Sequence, residues 1–395
     1  MHKIFLKKGR DKSLNNYHPW LFSGAIARVG GKPRPGEIVQ VCDSKGEPLA
    51  IGYYNAYSQI RVRILDWDCH ATIDSNWWHK RIGEAINRRR QLAEDTSTNA
   101  YRLIYSESDG LPGLIVDRYN NYVVIQITTA GIERVKQNII EILAELLQPD
   151  GIYERSDADI RAFEGLPESS WLVYGKQPSS QFVIKENGHL FEVDITAGQK
   201  TGFYLDQRVN RCKIAAYAKG LNILDCFSHT GAFAVYALAA GAKSVTLVDS
   251  STDCLELARS NIELNKSESA KAEFIAGDAF EILRSFRDGN RKFDMVILDP
   301  PKFVKSKNHL QKALAGYKDI NMLGFQLLNP GGLLATFSCS GLVDYETLKT
   351  VLFWAAVDTG KRVQIIDDLY QASCHPRLVT FPEGLYLKGA LCRVD

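Results

Sequence analysis

Apolar positions follow three rhythms along the chain. From residue 1 to about 70 they come in short runs broken by turn residues. Glu37–Cys42, Pro48–Tyr53 and Gln59–Leu65 are divided by Gly30-Gly31, Pro33-Arg34-Pro35-Gly36 and Lys45-Gly46. Closely spaced short runs predict β-strands in a small barrel or sandwich. Residues 74–95 switch to helical spacing, with Trp78, Ile82, Ile86 and Leu92 along one face and Asp74 or Ser75 as N-cap.

The second rhythm, 98–190, mixes both periods. Leu114–Tyr119 and Tyr122–Thr128 flank Asn120-Asn121, a hairpin signal. An amphipathic helix is predicted over Ile132–Leu147, with Val135, Ile139, Ile142, Leu143, Leu146 and Leu147 inward. A second hairpin follows, Phe182–Lys185 and Leu190–Ile195 about Asn187-Gly188. From about 196 onward strand and helix alternate. Strands are predicted at Asn222–Leu224, Ser244–Val248, Ala272–Ala276, Phe293–Leu298, Gly332–Phe337 and Val363–Leu369, with a last one within Gly384–Arg393. Helical patterns at 232–240, 253–264, 279–286, 312–328 and 344–358 separate them. Such alternation means a doubly wound, mainly parallel sheet, so the fold class is α/β. The expected division is a small β-rich domain at 1–72, a connecting helix at 73–97, a central α+β domain at 98–190 and a Rossmann-like domain at 191–395.

Composition changes this picture in two places. The formal net charge of the 395 residues is only +2, which at first argues against a bulk electrostatic binder of nucleic acid or membrane. Residues 1–100, however, hold 16 basic and 10 acidic side chains, and the remainder 32 and 36. A basic N-terminal module with Lys7, Lys8 and Arg10 near its start is therefore joined to a mildly acidic remainder. The eight cysteines are scattered, with no C-x-x-C pair and no zinc spacing. No metal site is expected. No run approaches the roughly 18 apolar residues of a membrane span, and MHKIFLKKGRDK lacks the apolar stretch of a signal peptide. A cytoplasmic protein with reduced thiols is the expectation.

Ligands of open α/β sheets sit beyond the carboxyl ends of the strands, so the residues following each strand carry the chemistry. After the first comes Asp225-Cys226-Phe227-Ser228-His229-Thr230-Gly231, with neither the glycines of a pyrophosphate loop nor a G-x-x-x-x-G-K-[ST] motif. Asp225, Phe227, Thr230 and Gly231 are candidate cofactor contacts. After the second comes Asp249, suited to a ribose diol, and after the third Asp278-Ala279, suited to an adenine edge and face. An adenosine site without a phosphate cradle points to S-adenosylmethionine (SAM). The plainer reading of any one of these acids is a helix N-cap. Lys200, Thr201 and Phe203, in the dense stretch 198–208, are candidate cofactor contacts that close over the ligand, and Arg208 is a candidate substrate contact.

Asp299-Pro300-Pro301-Lys302-Phe303 after the fourth strand and Ser338-Cys339-Ser340 after the fifth narrow the reaction. D/N-P-P-Y/F tetrads serve amino-group methylation, yet here Lys302 precedes the aromatic. A thiolate adding to carbon 6 of a pyrimidine makes carbon 5 nucleophilic. Cys339 fits the attacking thiol and Asp299 the partner of the ring nitrogen, while Pro300, Pro301, Lys302 and Phe303 are placed to contact the base. Phe303 is expected to stack on it and Lys302 to act as a cation for the thiolate. The competing reading of Cys339 is a buried strand-end thiol, and Cys226 is its rival.

Together the strings His18-Pro19-Trp20, Glu107-Ser108-Asp109-Gly110, Lys200-Thr201-Gly202-Phe203-Tyr204, Asp299-Pro300-Pro301-Lys302-Phe303, Ser338-Cys339-Ser340-Gly341 and Pro382-Glu383-Gly384-Leu385-Tyr386-Leu387-Lys388-Gly389 make the chain resemble, end to end, the RlmI family of bacterial 23S rRNA cytosine-C5 methyltransferases. The resemblance implies an N-terminal PUA RNA-binding domain, a central domain, a SAM-dependent methyltransferase domain, Cys339 as nucleophile and 5-methylcytosine in 23S rRNA as product. His229 stands where the family usually has an aromatic, a departure expected to leave cofactor binding intact. The related guanine-N7 rRNA methyltransferases share the D-P-P and K-T-G elements but lack the fifth-strand cysteine; with Cys339 merely structural, theirs is the alternative activity. A homodimer is compatible with the sequence, and nothing in the periodicity requires one.

Overall fold

The computed structural model describes residues 1–157, 159–179, 182–196, 201–266, 271–303 and 309–395. The chain forms two compact units that are not contiguous in sequence. The first comprises Met1–Lys185, Val193–Leu205 and Cys374–Gly384, and the second Glu186–Glu192, Asp206–Ser373 and Leu385–Asp395.

In the first unit, six N-terminal strands share one hydrogen-bonded sheet, which excludes a two-sheet sandwich. Its order is Trp20–Phe22, Ile60–Asp66, Pro48–Tyr54, Glu37–Cys42, His2–Leu6 and Ile26–Gly30. Alternate apolar residues of these strands, with Leu14, make one buried cluster: Ile4, Leu6, Leu21, Val39, Val41, Ala50, Val62 and Ile64. A second sheet follows in the order Ser169–Gly175, Gly151–Ser156, Tyr122–Ile127, Leu114–Tyr119 and Ala100–Tyr105. The Asn120-Asn121 turn forms with Asn120 at φ 54°.

Two predicted helices are each broken. The 74–95 helix is Ser75–Asn87, capped by the Asp74 carboxylate on the Trp77 N–H at 2.9 Å, and then Arg90–Glu94. At the break Arg89 is buried and forked onto Asp109, with two bonds of 2.7 Å, and also reaches the Cys374 carbonyl at 3.0 Å. The 132–147 helix is Ala130–Arg134 and Lys136–Leu147, interrupted where Val135 leaves helical geometry.

Buried ion pairs tie the two sheets into one unit. Arg63 of the N-terminal sheet donates to Glu107 at 2.9 Å and to Glu164 at 3.0 Å, with all three side chains buried. The Trp20 indole also donates to Glu107 at 2.7 Å, and the Asn55 amide to Glu164 at 2.7 Å. Cys374–Gly384 joins the same unit through Phe381, whose ring lies edge-on to Trp20 at 4.8 Å, and through the Tyr105 hydroxyl on the Gly384 carbonyl at 2.8 Å. The dense 375–384 loop is thus packed against the His18-Pro19-Trp20 string, and His18 meets Glu383 at 3.2 Å.

The second unit holds the doubly wound sheet: β1 Asn222–Cys226, β2 Ser244–Asp249, β3 Ala272–Ala276, β4 Phe293–Leu298, β5 Leu328–Ser338, β6 Val363–Tyr370 and β7 Lys388–Val394. Their spatial order is 3-2-1-4-5-7-6. The first five are parallel, and β7 runs antiparallel between β5 and β6. Apolar runs along β1, β4 and β5 are buried on both faces, as expected of strands covered by helices on each side. The register sets Cys226 beside Val248 and Leu298, and Leu298 beside Thr336, so the strands end at one level. No helix among the described residues is long and apolar enough to cross a membrane.

Removing Arg63 strands two buried carboxylates, so Arg63→Ala should cost about 3–5 kcal/mol, read as a lower denaturation midpoint for the first unit.

Candidate active site

Three strand ends of the second unit bring carboxylates together. Asp225 is the last residue but one of β1, and Asp299 follows β4 with its backbone N–H toward the Cys226 carbonyl at 3.5 Å. Asp249 closes β2, and its Oδ2 accepts the His229 N–H at 2.8 Å while Oδ1 accepts that of Ser251 at 3.0 Å. This holds a strained turn. Phe227 and His229 both take left-handed backbone, at φ 59° and 48°, which costs an L-residue roughly 1–2 kcal/mol. Such strain persists where its surroundings fix it, often at functional sites. Gly231 follows at φ 73°, and a Cβ there would stand 2.7 Å from that of Ala258. The helix Ala232–Ala239 starts directly after it.

Asp225 is wholly buried, and neither of its oxygens makes a hydrogen bond of ordinary geometry. Burial, then the charges of Asp299 and Asp249, push its carboxyl well above the usual range, against the pull of Arg211. The hydroxyls of Ser228 and Thr230 in the same turn are also buried without a bond. Asp278 behaves as the plainer reading held: it caps the helix Ala279–Asp288 through the Glu281 N–H at 3.1 Å. Its side chain is exposed, and Ala279 beside it is buried.

Cys339 lies half-buried directly after β5, between the buried Ser338 and Ser340. The Ser338 hydroxyl donates to that of Tyr317 at 3.0 Å. The rival, Cys226, is fully buried, and desolvation followed by Asp225 raises its thiol well above the ordinary value; such a cysteine is inert. Pro300 is buried, whereas Pro301 and Lys302 are exposed. Phe303 packs its ring on Tyr317 at 4.7 Å and Phe280 at 6.0 Å. Arg208 opens the helix Arg208–Ala215 with its side chain buried and its Nε without an acceptor.

Thr201 and Phe203 belong to the first unit. There the Thr201 hydroxyl donates to Asp117 at 2.7 Å, and the Phe203 N–H donates to the Tyr119 hydroxyl at 3.2 Å. Lys200 lies outside the described residues. Lys7, Lys8 and Arg10 are exposed in the turn after the first strand, His2–Leu6, with Lys7 donating to the Gly24 carbonyl at 2.9 Å.

Two further residues were not singled out by sequence. Gln207, buried, donates to Asp299 Oδ2 at 2.9 Å and is itself held by Asn210 at 2.6 Å. Lys388, at the start of β7, is 1 % exposed and donates to the Ser340 carbonyl at 2.6 Å and the Tyr386 carbonyl at 2.9 Å. Both lie in strings dense with polar and aromatic residues, but only the folded structure reveals what they touch.

Residues 4–67 match a PUA-like domain, and residues 162–348 match the family of S-adenosylmethionine-dependent methyltransferases. Over 392 residues the chain is 47% identical to ribosomal RNA large subunit methyltransferase I of Klebsiella pneumoniae (strain 342), covering 99% of this chain and 98% of that one. The protein of the same name from Aliivibrio fischeri (strain ATCC 700601 / ES114) is 47% identical over 391 residues, covering 99% of each. The chain belongs to the ribosomal RNA large subunit methyltransferase I family. Among solved structures, a SAM-dependent methyltransferase from Streptococcus mutans superimposes with a TM-score of 0.87, and a methyltransferase complexed with SAH with 0.88. Each is 22% identical and covers 100% of both chains, a likeness of fold.

SAM is the cofactor of this family's catalytic domain, and the strand ends fit it. A buried carboxyl crowded by two other acids, and two buried hydroxyls without a partner, cost free energy until a ligand completes them. SAM carries an ammonium, ribose hydroxyls and a sulfonium, all suited to an acid-rich cradle.

Gly231→Ala should cost about 1–3 kcal/mol through its backbone conformation and the Ala258 clash, seen as a lowered unfolding temperature of the second unit.

Proposed function

We propose that this protein methylates carbon 5 of a cytosine in 23S ribosomal RNA, using SAM. The observation that carries this reading is a half-buried cysteine, Cys339, at the end of the strand beside the one that presents Asp299. The relatives' names supply the RNA: they are large-subunit rRNA methyltransferases.

The target cytosine leaves its stack to reach such a pocket. The Cys339 thiolate bonds to carbon 6, and the electron pair of the 5,6 double bond becomes available at carbon 5. Asp299, oriented by Gln207, hydrogen-bonds the ring nitrogen side that gains electron density. SAM supplies the electrophilic methyl group. After methyl transfer, loss of the carbon-5 proton to a base restores the double bond and expels the thiolate. Asp249 is assigned to the ribose diol, Asp278 and Ala279 to the adenine, and Asp225, Phe227, Thr230 and Gly231 to the body of the cofactor. Phe303, backed by Tyr317 and Phe280, borders the base together with Pro300, Pro301 and Lys302. Arg208 is assigned to substrate phosphate. Lys7, Lys8 and Arg10 dock RNA on the PUA-like domain, in a cytoplasmic enzyme.

Cys339→Ala should abolish 5-methylcytosine formation while SAM binding stays within about twofold, because nucleophile and cofactor contacts are separate groups. Nucleoside mass spectrometry of methylated rRNA decides it. An active alanine variant, or 7-methylguanine as product, would favour the guanine-N7 alternative with Cys339 structural.

Replacing Lys7, Lys8 and Arg10 together by alanine should weaken RNA binding and flatten the slope of log affinity against log salt by about 3, near one per lost phosphate contact. An unchanged slope in a filter-binding titration would remove these residues from the interface.

A further inference from the structure

The thiolate that attacks carbon 6 needs a source of stabilisation, and Lys302 is exposed. The β5–β7 ladder offers another. Antiparallel pairing sets Lys388 opposite Ser338, the last residue of β5. The Lys388 side chain runs along that strand end and places its Nζ 2.6 Å from the Ser340 carbonyl, one residue past Cys339. The Tyr386 carbonyl, at 2.9 Å, takes a second N–H. A lysine ammonium has three donors, so two carbonyls fix the head group and leave a third N–H. Neutral carbonyls alone do not repay the burial of a full positive charge.

The acidic groups facing this ammonium come from two elements. Asp344, before the helix Tyr345–Thr359, is exposed and spends Oδ1 on the Thr347 N–H at 2.8 Å as the N-cap. Cys339, directly after β5, is the other. The nearby phenol of Tyr317 is pushed up to about 12, chiefly by burial, and stays neutral. Burial lowers Lys388 to about 8, while Cys339 and Asp344 act to hold its proton on.

We propose that Lys388 is the positioning residue of Cys339: its ammonium, clamped between the Ser340 and Tyr386 carbonyls, is the counter-charge that keeps the thiol ionised, the thiol proton passing to solvent. This rests on Cys339 being the nucleophile. It assigns β7, the antiparallel strand beside β5, a chemical task in addition to its structural one.

The test is site-resolved alkylation by iodoacetamide of the full chain from about pH 6.5 to about pH 9, since only thiolates react. Cys212, on the helix Arg208–Ala215 and with its thiol raised by burial, is the internal reference for a thiol that stays protonated near neutral pH. In the wild type the Cys339 rate should change less than about threefold across the range, while that of Cys212 rises more than about tenfold. In Lys388→Met, Cys339 should follow the Cys212 profile and react about tenfold more slowly near pH 7, with SAM binding unchanged. Lys388→Gln, a neutral side chain that still donates to carbonyls, replaces it if the methionine variant does not fold. A wild-type Cys339 profile that climbs with Cys212 would overturn the proposal without any variant. So would a flat profile in a SAM-binding neutral variant. Failure of the nucleophile reading shows elsewhere, as an active Cys339→Ala enzyme.

Discussion

Taking an ion out of water costs several kcal/mol unless a partner replaces the solvent, and in the first unit Arg63, Arg89 and Arg102 are among the buried arginines that meet that demand. Arg63 sits between Glu107 and Glu164, Arg89 is forked onto Asp109, and Arg102 is forked onto Asp117. These are the contacts that make one unit of several sequence segments. Arg63 joins the N-terminal sheet to carboxylates of the central region, Arg89 fastens residue 374, and Asp117 also accepts the Thr201 hydroxyl. The apolar clusters supply most of the burial, but the ion pairs fix which segments belong together, since a mismatched partner would leave a charge unpaired.

The second unit follows the same rule at Arg211, whose partner Glu186 also accepts the Tyr236 hydroxyl. At its strand ends the rule is relaxed. Asp225 is buried beside Asp249 and Asp299 with little positive charge to offset them. A cluster of acids that repel one another is costly alone and well suited to a cationic ligand. The strained turn at Phe227 and His229, held by Asp249, adds to this. Stability is thus given up at the strand ends proposed to hold the cofactor.

The second unit was largely legible in sequence because strands covered on both faces read as apolar runs and their flanking helices carry a distinct period. All seven strands were found, although β5 begins earlier than its run implied and β7 later. The strands Gly151–Ser156 and Ser169–Gly175 were not singled out. Glu154, Arg155 and Ser156 are buried polar residues, so neither alternation nor an apolar run marks the first. Helix breaks at Val135 and Arg89 also escaped, the latter because a tertiary ion pair overrides a continuous helical pattern. In the site, strand-end acids were visible because sequence order places them. Gln207 and Lys388 were not, because the groups that reveal their role, Asp299 and Ser340, lie far off in the chain and are brought to them by the tertiary fold.

Charge counting shows the same limit. The excess of six positive charges in residues 1–100 includes Arg63 and Arg89, and both are buried against carboxylates that lie beyond residue 100. Those two charges are neutralised inside the fold and contribute little to the field at the surface. Arg63, buried between Glu107 and Glu164, therefore offers no charge to RNA. What remains is narrower and better placed: Lys3, Lys7, Lys8 and Arg10 are all exposed within one short stretch at the first strand. A local cluster of this kind follows the phosphate spacing of a single backbone segment better than a diffuse excess does. The split in charge thus supports the proposed docking of RNA by a small exposed cluster on the PUA-like domain, while Arg63 and Arg89 serve the fold.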